Sequence, residues 1–392
     1  MTKKLYYEDV YLNEWQSEIK DIIHEKDKFL IVLDRTAFFP EGGGQPADKG
    51  CIDDIEVIDV FEKDNIIYHV VEKIPENKIV KCKLNFDRRF YYMQQHSGEH
   101  LLSAVLYKMY NTNNDGFHMG DDYITIDNSI INMTEDMVKA VEVMANKYIY
   151  KDLPILSYFV ENEDLEELKL RKECKVEENI RIVEIKGIDI IACCGTHVCS
   201  TGEIGLIKII KTENYKGMTR IYFKCGRKAL EDYEKKHDIT TNLSRHYSLV
   251  EDEIIEKAKN DSNEIRRLLK DIKDLKEIIS SYVAQDIISG SNSNVITKEF
   301  SKEDFEHIKM INSEILKKGK YVTILVSTTE NKILFSNNLN MSLHCGKIFK
   351  ESLLKFNGKG GGSDKQAQAA FKNNEDMIKF RSYLKELVDE NK

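Results

Sequence analysis

The stretch Gln94-Gln95-His96-Ser97-Gly98-Glu99-His100-Leu101-Leu102-Ser103-Ala104 decides how this 392-residue chain is read, together with the distant Cys193-Cys194-Gly195-Thr196-His197-Val198. On a helix, His96 and His100 stand four residues apart and project from one face, close enough for both imidazoles to bind one metal ion. Cys193 and His197 repeat that spacing. Two imidazoles from one segment, with a thiolate and an imidazole from the other, form a borderline-soft tetrahedral set that suits zinc better than magnesium or calcium. Cys194 and Cys199 stand close enough in sequence to supply the sulfur instead of Cys193, and spacing alone leaves that choice open.

Upstream, from Lys4 to about Arg89, short runs rich in Val, Ile, Phe and Tyr are separated by charged turns. Phe29-Leu33, Ile55-Phe61, Ile66-Val71 and Ile79-Leu84 read as strands of a small, closed or nearly closed antiparallel barrel. Between them lies Asp34 to Gly50, with Gly42, Gly43 and Gly44 in succession. Such a run lets backbone approach a ligand closely, and Thr36 and Gln45 beside it offer neutral hydrogen-bonding groups, although composition alone reads equally as a plain surface loop.

From Tyr91 to Lys228 helix and strand alternate. The histidine helix continues through Leu101, Leu102, Val105 and Leu106, and Thr134 caps a second helix running to about Tyr150. Segments at Asp122-Asp127, Ile155-Val160, Ile180-Ile185, Ile188-Ala192, Ile204-Ile210 and Arg220-Phe223 predict one antiparallel sheet with helices on one side, Cys193 falling where a strand ends. His118, after Asp115-Gly116-Phe117, is a candidate pocket residue.

Ala258, Ile265, Ile272 and Ile279 then fall seven apart, with Leu268, Leu275 and Tyr282 between them, the seam of a helical hairpin or coiled-coil arm able to pair with a second copy, or of a helix laid against its own domain. Ser289 to Asn294 has the composition of a boundary. The last hundred residues predict an α/β unit with strands at Tyr321-Ser327 and Lys332-Ser336. Its helices are expected near Glu303-Lys317, Gly346-Phe356 and Asn374-Val388. Its loop from Asn357 to Ala369, with Lys359, Gly360, Gly361 and Gly362, is expected to hold a phosphate backbone, since no Gly-Lys-Ser/Thr follows to make a nucleotide loop. The fold class is therefore α+β and multidomain. Residues 1–89 make a β-barrel domain, 90–230 a zinc-binding domain, 231–289 a helical arm and 290–392 a C-terminal α/β domain.

Eight cysteines in a chain of this size are too few for a disulfide framework, so reduced thiols are expected. There is no basic-plus-apolar leader and no apolar run near eighteen residues, which predicts a cytoplasmic protein without a membrane span. A net charge of −9 argues against indiscriminate coating of nucleic acid, although a local basic face can coexist with it.

The two histidine-bearing motifs and the Gly42-Gly43-Gly44-Gln45 loop resemble the editing module of alanyl-tRNA synthetases. The whole chain looks like the long form of the free-standing alanyl-tRNA editing proteins, the AlaX family. Its glycine-rich tail resembles the DHH-associated RNA-binding domain that ends those proteins. The resemblance implies hydrolysis of the ester joining serine or glycine to alanine-specific tRNA, in trans because no segment resembling an aminoacylation domain precedes it. It also implies His96, His100, Cys193 and His197 as ligands of one zinc ion, and Thr36, Gln45 and Gly42-Gly44 lining the amino-acid pocket. Lys208, Lys211, Lys216, Arg220, Lys224, Arg227 and Lys228 have two readings, a face that meets the acceptor stem or a solvated strand edge. Two other readings stay open: a tRNA-binding protein whose zinc only staples the fold, and an inverted zincin protease with Glu99 as general base, His96 to His100 reading as H-x-x-E-H.

Overall fold

Ile79-Val80-Lys81-Cys82-Lys83-Leu84 sends alternate side chains to solvent and core, and it folds as the strand that this period requires. The computed structural model describes residues 2–120, 122–165, 167–174, 179–339 and 342–391. They fall into two compact units, Met1–Leu243 and Ser244–Lys392. Each is described by itself.

The first unit opens with seven strands: β1 (Glu14–Glu25), β2 (Lys28–Leu33), β3 (Gly50–Ile52), β4 (Ile55–Val57), β5 (Asp59–Lys63), β6 (Ile66–Val71) and β7 (Ile79–Leu84). They hydrogen-bond in the order β4-β3-β7-β1-β2-β6-β5. The outermost strands, β4 and β5, are consecutive in sequence and joined by Ile58 alone, whose N–H donates to Val70 O at 2.9 Å. The sheet therefore curls until its edges almost meet. The single strand expected over Ile55-Phe61 is broken at Ile58 for that reason. Closure also needs a kink in β1, which slips register between Ile19 and Asp21: its first half pairs with β7 and its second with β2. Ile31, Leu33, Phe38, Ile52, Val60, Ile67 and Val80 fill the interior.

His69 is fully buried in this barrel. Its Nδ1–H donates to Ile31 O at 2.9 Å and its Nε2 accepts from Thr36 Oγ1 at 2.8 Å, which fixes a neutral tautomer. Burial pushes its pKa down to about 4. Asp48 and Arg89, both fully buried, form the other polar knot. Arg89 Nε donates to the two carboxylate oxygens of Asp48 at 3.1 and 3.0 Å, its terminal nitrogens donate to Val10 O and Ala37 O, and Asp48 accepts the Phe39 N–H at 2.6 Å. This pair ties the barrel loop to the helix that follows.

That helix, α1 (Phe86–Tyr110), starts at Asn85, whose side chain accepts the Arg88 N–H, and ends at Asn111 in the left-handed region. Every residue from Tyr92 to Leu106 is buried, so the helix is surrounded on all sides. Around it lie β8 (Asn114–Met119), β9 (Ile124–Asn128), α2 (Glu135–Tyr150), β10 (Ile155–Val160), β11 (Ile180–Ile185), β12 (Asp189–Ala192), β13 (Ile207–Tyr215), β14 (Met218–Cys225) and the start of α3 (Gly226–Tyr247). One sheet was expected here; two form, β8-β9-β14-β13 and β10-β11-β12, both antiparallel. The chain between β12 and β13 belongs to neither sheet and buries Val198 and Ile204 in the same core as α1.

The second unit contains α4 (Ile254–Ser289), β15 (Val295–Phe300), α5 (Phe305–Lys318), β16 (Val322–Ser327), β17 (Lys332–Asn337), α6 (Cys345–Ser352), β18 (Gly358–Gly362), β19 (Gln366–Phe371) and α7 (Asn374–Glu390). Its sheet runs β15-β16-β17-β19-β18, with β15 and β16 parallel. The seam of α4 stays open: Ile265, Leu268, Ile272, Leu275, Ile279 and Tyr282 are all exposed. The glycine-rich tail is not a loop opening a helix but the edge strand β18. A Cβ at Gly360 or Gly362 would stand 2.1 Å from a carbonyl oxygen of β19, so the close pairing itself demands glycine.

Two stability predictions follow from the buried polar groups of the barrel. Asp48→Ala leaves Arg89 buried and unpaired and lowers unfolding free energy by about 3–5 kcal/mol, read as the urea midpoint at unchanged m. For His69, the unfolded chain takes up a proton near pH 6.5 whereas the folded one resists until about 4. Stability is thus lost as pH falls from 6.5 to 4, by on the order of 3 kcal/mol for this group. His69→Gln should show a shallower loss than the parent over that window in the same denaturation series.

Candidate metal centre

His96 and His100 lie one turn apart on α1, and Cys193 and His197 lie in the turn just beyond β12. One donor atom from each of the four lies within 4.8 Å of the others. Cys193 Sγ stands 3.5 Å from His96 Nε2 and 3.4 Å from His197 Nε2. Tetrahedral zinc with Zn–S of about 2.3 Å and Zn–N of about 2.0 Å separates sulfur from nitrogen by roughly 3.5 Å, so these edges match. Among the described residues, His100 Nδ1 is buried with no hydrogen-bond partner, a cost that a cation shared with the other donors would remove. Of the three cysteines that spacing left open, the structure brings Cys193 to the imidazoles, while Cys194 and Cys199 are exposed.

The other ring nitrogens set the tautomers. Gln45 Oε1 accepts the Thr196 N–H at 3.0 Å and the Nδ1–H of His96 at 3.1 Å, which leaves His96 Nε2 with its lone pair toward Cys193. His197 Nδ1 meets Ser97 Oγ at 3.1 Å, and that oxygen also accepts the Val198 N–H. Desolvation pushes the pKa of His96 and of His100 down to about 3 and takes His197 well below its usual value. The imidazoles are therefore neutral, as ligands must be. Burial pushes the Cys193 thiol up to about 12, opposed by the Gly195 N–H and by Arg181. Arg181 Nη1 clamps the turn by donating to Cys193 O at 2.9 Å and Gly195 O at 2.8 Å.

The expected pocket residues take varied places. Gly43 and Gly44, at φ +60° and +81°, are the central pair of a tight turn closed by Gly42 and Gln45. Gly44 abuts Phe117, and Phe117 stacks on His96 with centroids 5.5 Å apart, which links the glycine loop to the metal centre. Gln45 is fully buried, its oxygen shared by His96 and Thr196 and its amide donating to Thr196 Oγ1. Thr36 turns into the barrel, donating to His69 and accepting the Phe38 N–H. His118 is exposed, because successive residues of β8 face opposite ways and Phe117 takes the inner side. That alternation was the available signal for Phe117. Arg220 is paired with Asp127 at 2.6 and 2.8 Å and lies over the Tyr215 ring. Lys359 and Gly360 are exposed on β18 of the second unit.

Sequence reasoning also passed over Gly195, Ser97 and Arg181. A Cβ at Gly195 would stand 2.2 Å from His96, so glycine there is a condition of the site. Glu99 accepts from Ser103 Oγ at 2.7 Å and Asn114 Nδ2 at 2.6 Å through Oε1, and its Oε2 lies 3.8 Å from His100 Nε2.

A barrel, a buried His3Cys centre and a separate α/β unit in this order define a class, the editing modules that accompany aminoacyl-tRNA synthesis. Family models agree: tRNA synthetases class II (A) over residues 2–88, the threonyl and alanyl tRNA synthetase second additional domain over 180–222, and the DHHA1 domain over 292–390. The chain is 35% identical to alanyl-tRNA editing protein AlaX-L of Pyrococcus horikoshii over 98% of its own length and 100% of that protein. It is 28% identical to alanine–tRNA ligase of Pyrococcus abyssi and 27% identical to that of Methanococcus vannielii, spanning 43% of each. The chain belongs to the AlaX-L family of alanyl-tRNA editing proteins.

Ser97→Ala removes the group that orients His197 and should weaken zinc binding about 10- to 100-fold, measured by competition with a chromophoric chelator. The far-UV spectrum should stay unchanged.

Proposed function

We propose that the chain is a trans-acting hydrolase that removes serine, and also glycine, from mischarged tRNA(Ala), with one zinc ion held by His96, His100, Cys193 and His197. The convergence of those four donor atoms carries the reading. The end-to-end likeness to a protein named as an alanyl-tRNA editor supports alanine tRNA as the carrier. When bound, zinc would supply a Lewis-acidic point that orients the aminoacyl group beside a water.

The chain's own residues supply the rest. Gln45 and Ser97 are positioning residues, holding His96 and His197 in their ligand tautomers. Phe117 walls one face of the site over His96. Glu99 Oε2 is a buried carboxylate oxygen beside His100 able to take a proton from the attacking water. Water adds to the ester carbonyl carbon, the bond to the ribose oxygen breaks, and the products are the free amino acid and the tRNA hydroxyl. Selectivity has a physical basis, since an alanine-sized site cannot exclude glycine and rejects serine poorly. A second site that bonds the serine hydroxyl is left with unpaired polar groups by alanine, which accounts for serine; glycine lacks that hydroxyl too and is told from alanine only by the missing methyl, a discrimination of roughly 10- to 200-fold. The open seam of α4 supports a second copy pairing along it, and the Lys359–Gly362 edge supports contact with the tRNA backbone.

The decisive assay offers purified, zinc-quantified protein Ser-, Gly- and Ala-charged tRNA(Ala) side by side. Serine and glycine should be released and alanine spared, and His100→Ala should lower the rate by more than about 100-fold. Equal release of alanine would overturn the selectivity, and undiminished turnover in a folded, metal-free variant would overturn the metal's role.

A further inference from the structure

Three side chains form a row across the small sheet β10-β11-β12. Phe159 on β10 pairs with Arg181 on β11, and the Cys193 N–H donates to Arg181 O at 3.0 Å, so the row runs from Phe159 through Arg181 to the sulfur ligand. Directly paired residues share a face, and two strand spacings of about 4.8 Å place Phe159 roughly 10 Å from the metal centre. That is about the reach of one nucleoside from its esterified ribose oxygen to its base.

The far end of the row is aromatic and open. Phe159 is 53% exposed, an expensive place for a phenyl ring, on the outermost strand of its three-stranded sheet. Tyr7 meets it edge-on, centroids 5.6 Å apart, and the Tyr7 ring rests on the Arg181 guanidinium at 4.9 Å. The Tyr7 hydroxyl donates to Cys194 O at 3.1 Å, which anchors the aromatic pair to the turn that holds the metal ligands. Arg181 thus fixes the ligand turn with one nitrogen and supports the aromatic pair with its π-facing side.

Resting on the hydrolase reading above, we propose that Phe159, buttressed by Tyr7, is the seat on which the terminal nucleobase of the tRNA stacks while its ester lies at the metal centre. An aromatic face suits any base, so the seat positions the 3′ end without reading sequence. Phe159 is a positioning residue: it acts on where the ester sits.

The test uses tRNA(Ala) carrying 2-aminopurine as its terminal base, whose fluorescence is quenched by stacking, and in parallel deacylation of Ser-tRNA(Ala). With uncharged labelled tRNA, the full chain should quench the probe, Phe159→Ala should abolish quenching, and Phe159→Trp should restore it. In deacylation, Phe159→Ala should raise KM about 10- to 100-fold with kcat changed less, and Phe159→Trp should return KM toward the parent value. Zinc content should be equal in all three, which separates stacking from damage to the centre. Hydrolysis by the parent without quenching, or Phe159→Ala with unaltered quenching and KM, overturns the seat. Quenching by a parent that hydrolyses nothing upholds the seat and overturns the hydrolase reading alone.

Discussion

The first unit is organised around an electrostatic cost: three imidazoles and a thiol are buried with donor atoms within 4.8 Å of one another. Burial holds the imidazoles unprotonated and the thiol protonated, so in the bare protein four neutral donors crowd one space, and His100 Nδ1 has no hydrogen-bond partner among the described residues. The rest of the unit makes that crowding tolerable. Gln45 reaches in from the barrel loop, Ser97 from the helix itself and Phe117 from β8, each fixing one ring of the cluster or covering it. Because these anchors come from segments far apart in sequence, the centre exists only once barrel and sheets have docked on α1.

Charges outside the cluster are nearly balanced. Arg171 pairs with Asp189 at 2.8 Å, and Arg181 lies among backbone carbonyls of the ligand turn. Both guanidiniums help hold His100 unprotonated. Arg181 also draws the Cys193 thiol toward its thiolate against the pull of burial. Asp189 and Glu99 offset the two arginines in formal charge, so the added charge of a dication would be met mainly by the one thiolate. A buried site needs that balance, since an uncompensated charge there costs several kcal/mol.

Much of this was legible in the sequence, and what was not shares a cause. The i, i+4 spacings of His96/His100 and Cys193/His197 pointed to one metal because helix and tight-turn geometry are local. Barrel strands and the helix cap at Thr134 follow local rules too. What failed depended on partners distant in sequence. Ile55-Phe61 reads as one strand until closure places its halves on opposite edges. Gly358–Gly362 reads as a loop until β19 lies against it and leaves no room for a Cβ. Gln45 and Thr36 read as neutral hydrogen-bonding groups beside the glycine run, and only the fold shows that Gln45 Oε1 is engaged by His96 and Thr196 and that Thr36 Oγ1 is engaged by His69.

The same crowding bears on the route to the centre. Gly44 presses on Phe117, Phe117 covers His96, and Gly195 leaves no gap for even a methyl group beside the same ring. On those sides there is no space for a substituent as large as an amino acid. Cys194, next to the sulfur ligand, is exposed, and its carbonyl accepts from Tyr7. The ligand turn therefore has one side packed against the barrel and helix and another turned to solvent. On the seat proposed above, a substrate carried on a polymer reaches the centre from that solvent side, across the strand end that carries Arg181 and Phe159. The tight packing that orients the ligands is thus also what gives the centre a direction of approach.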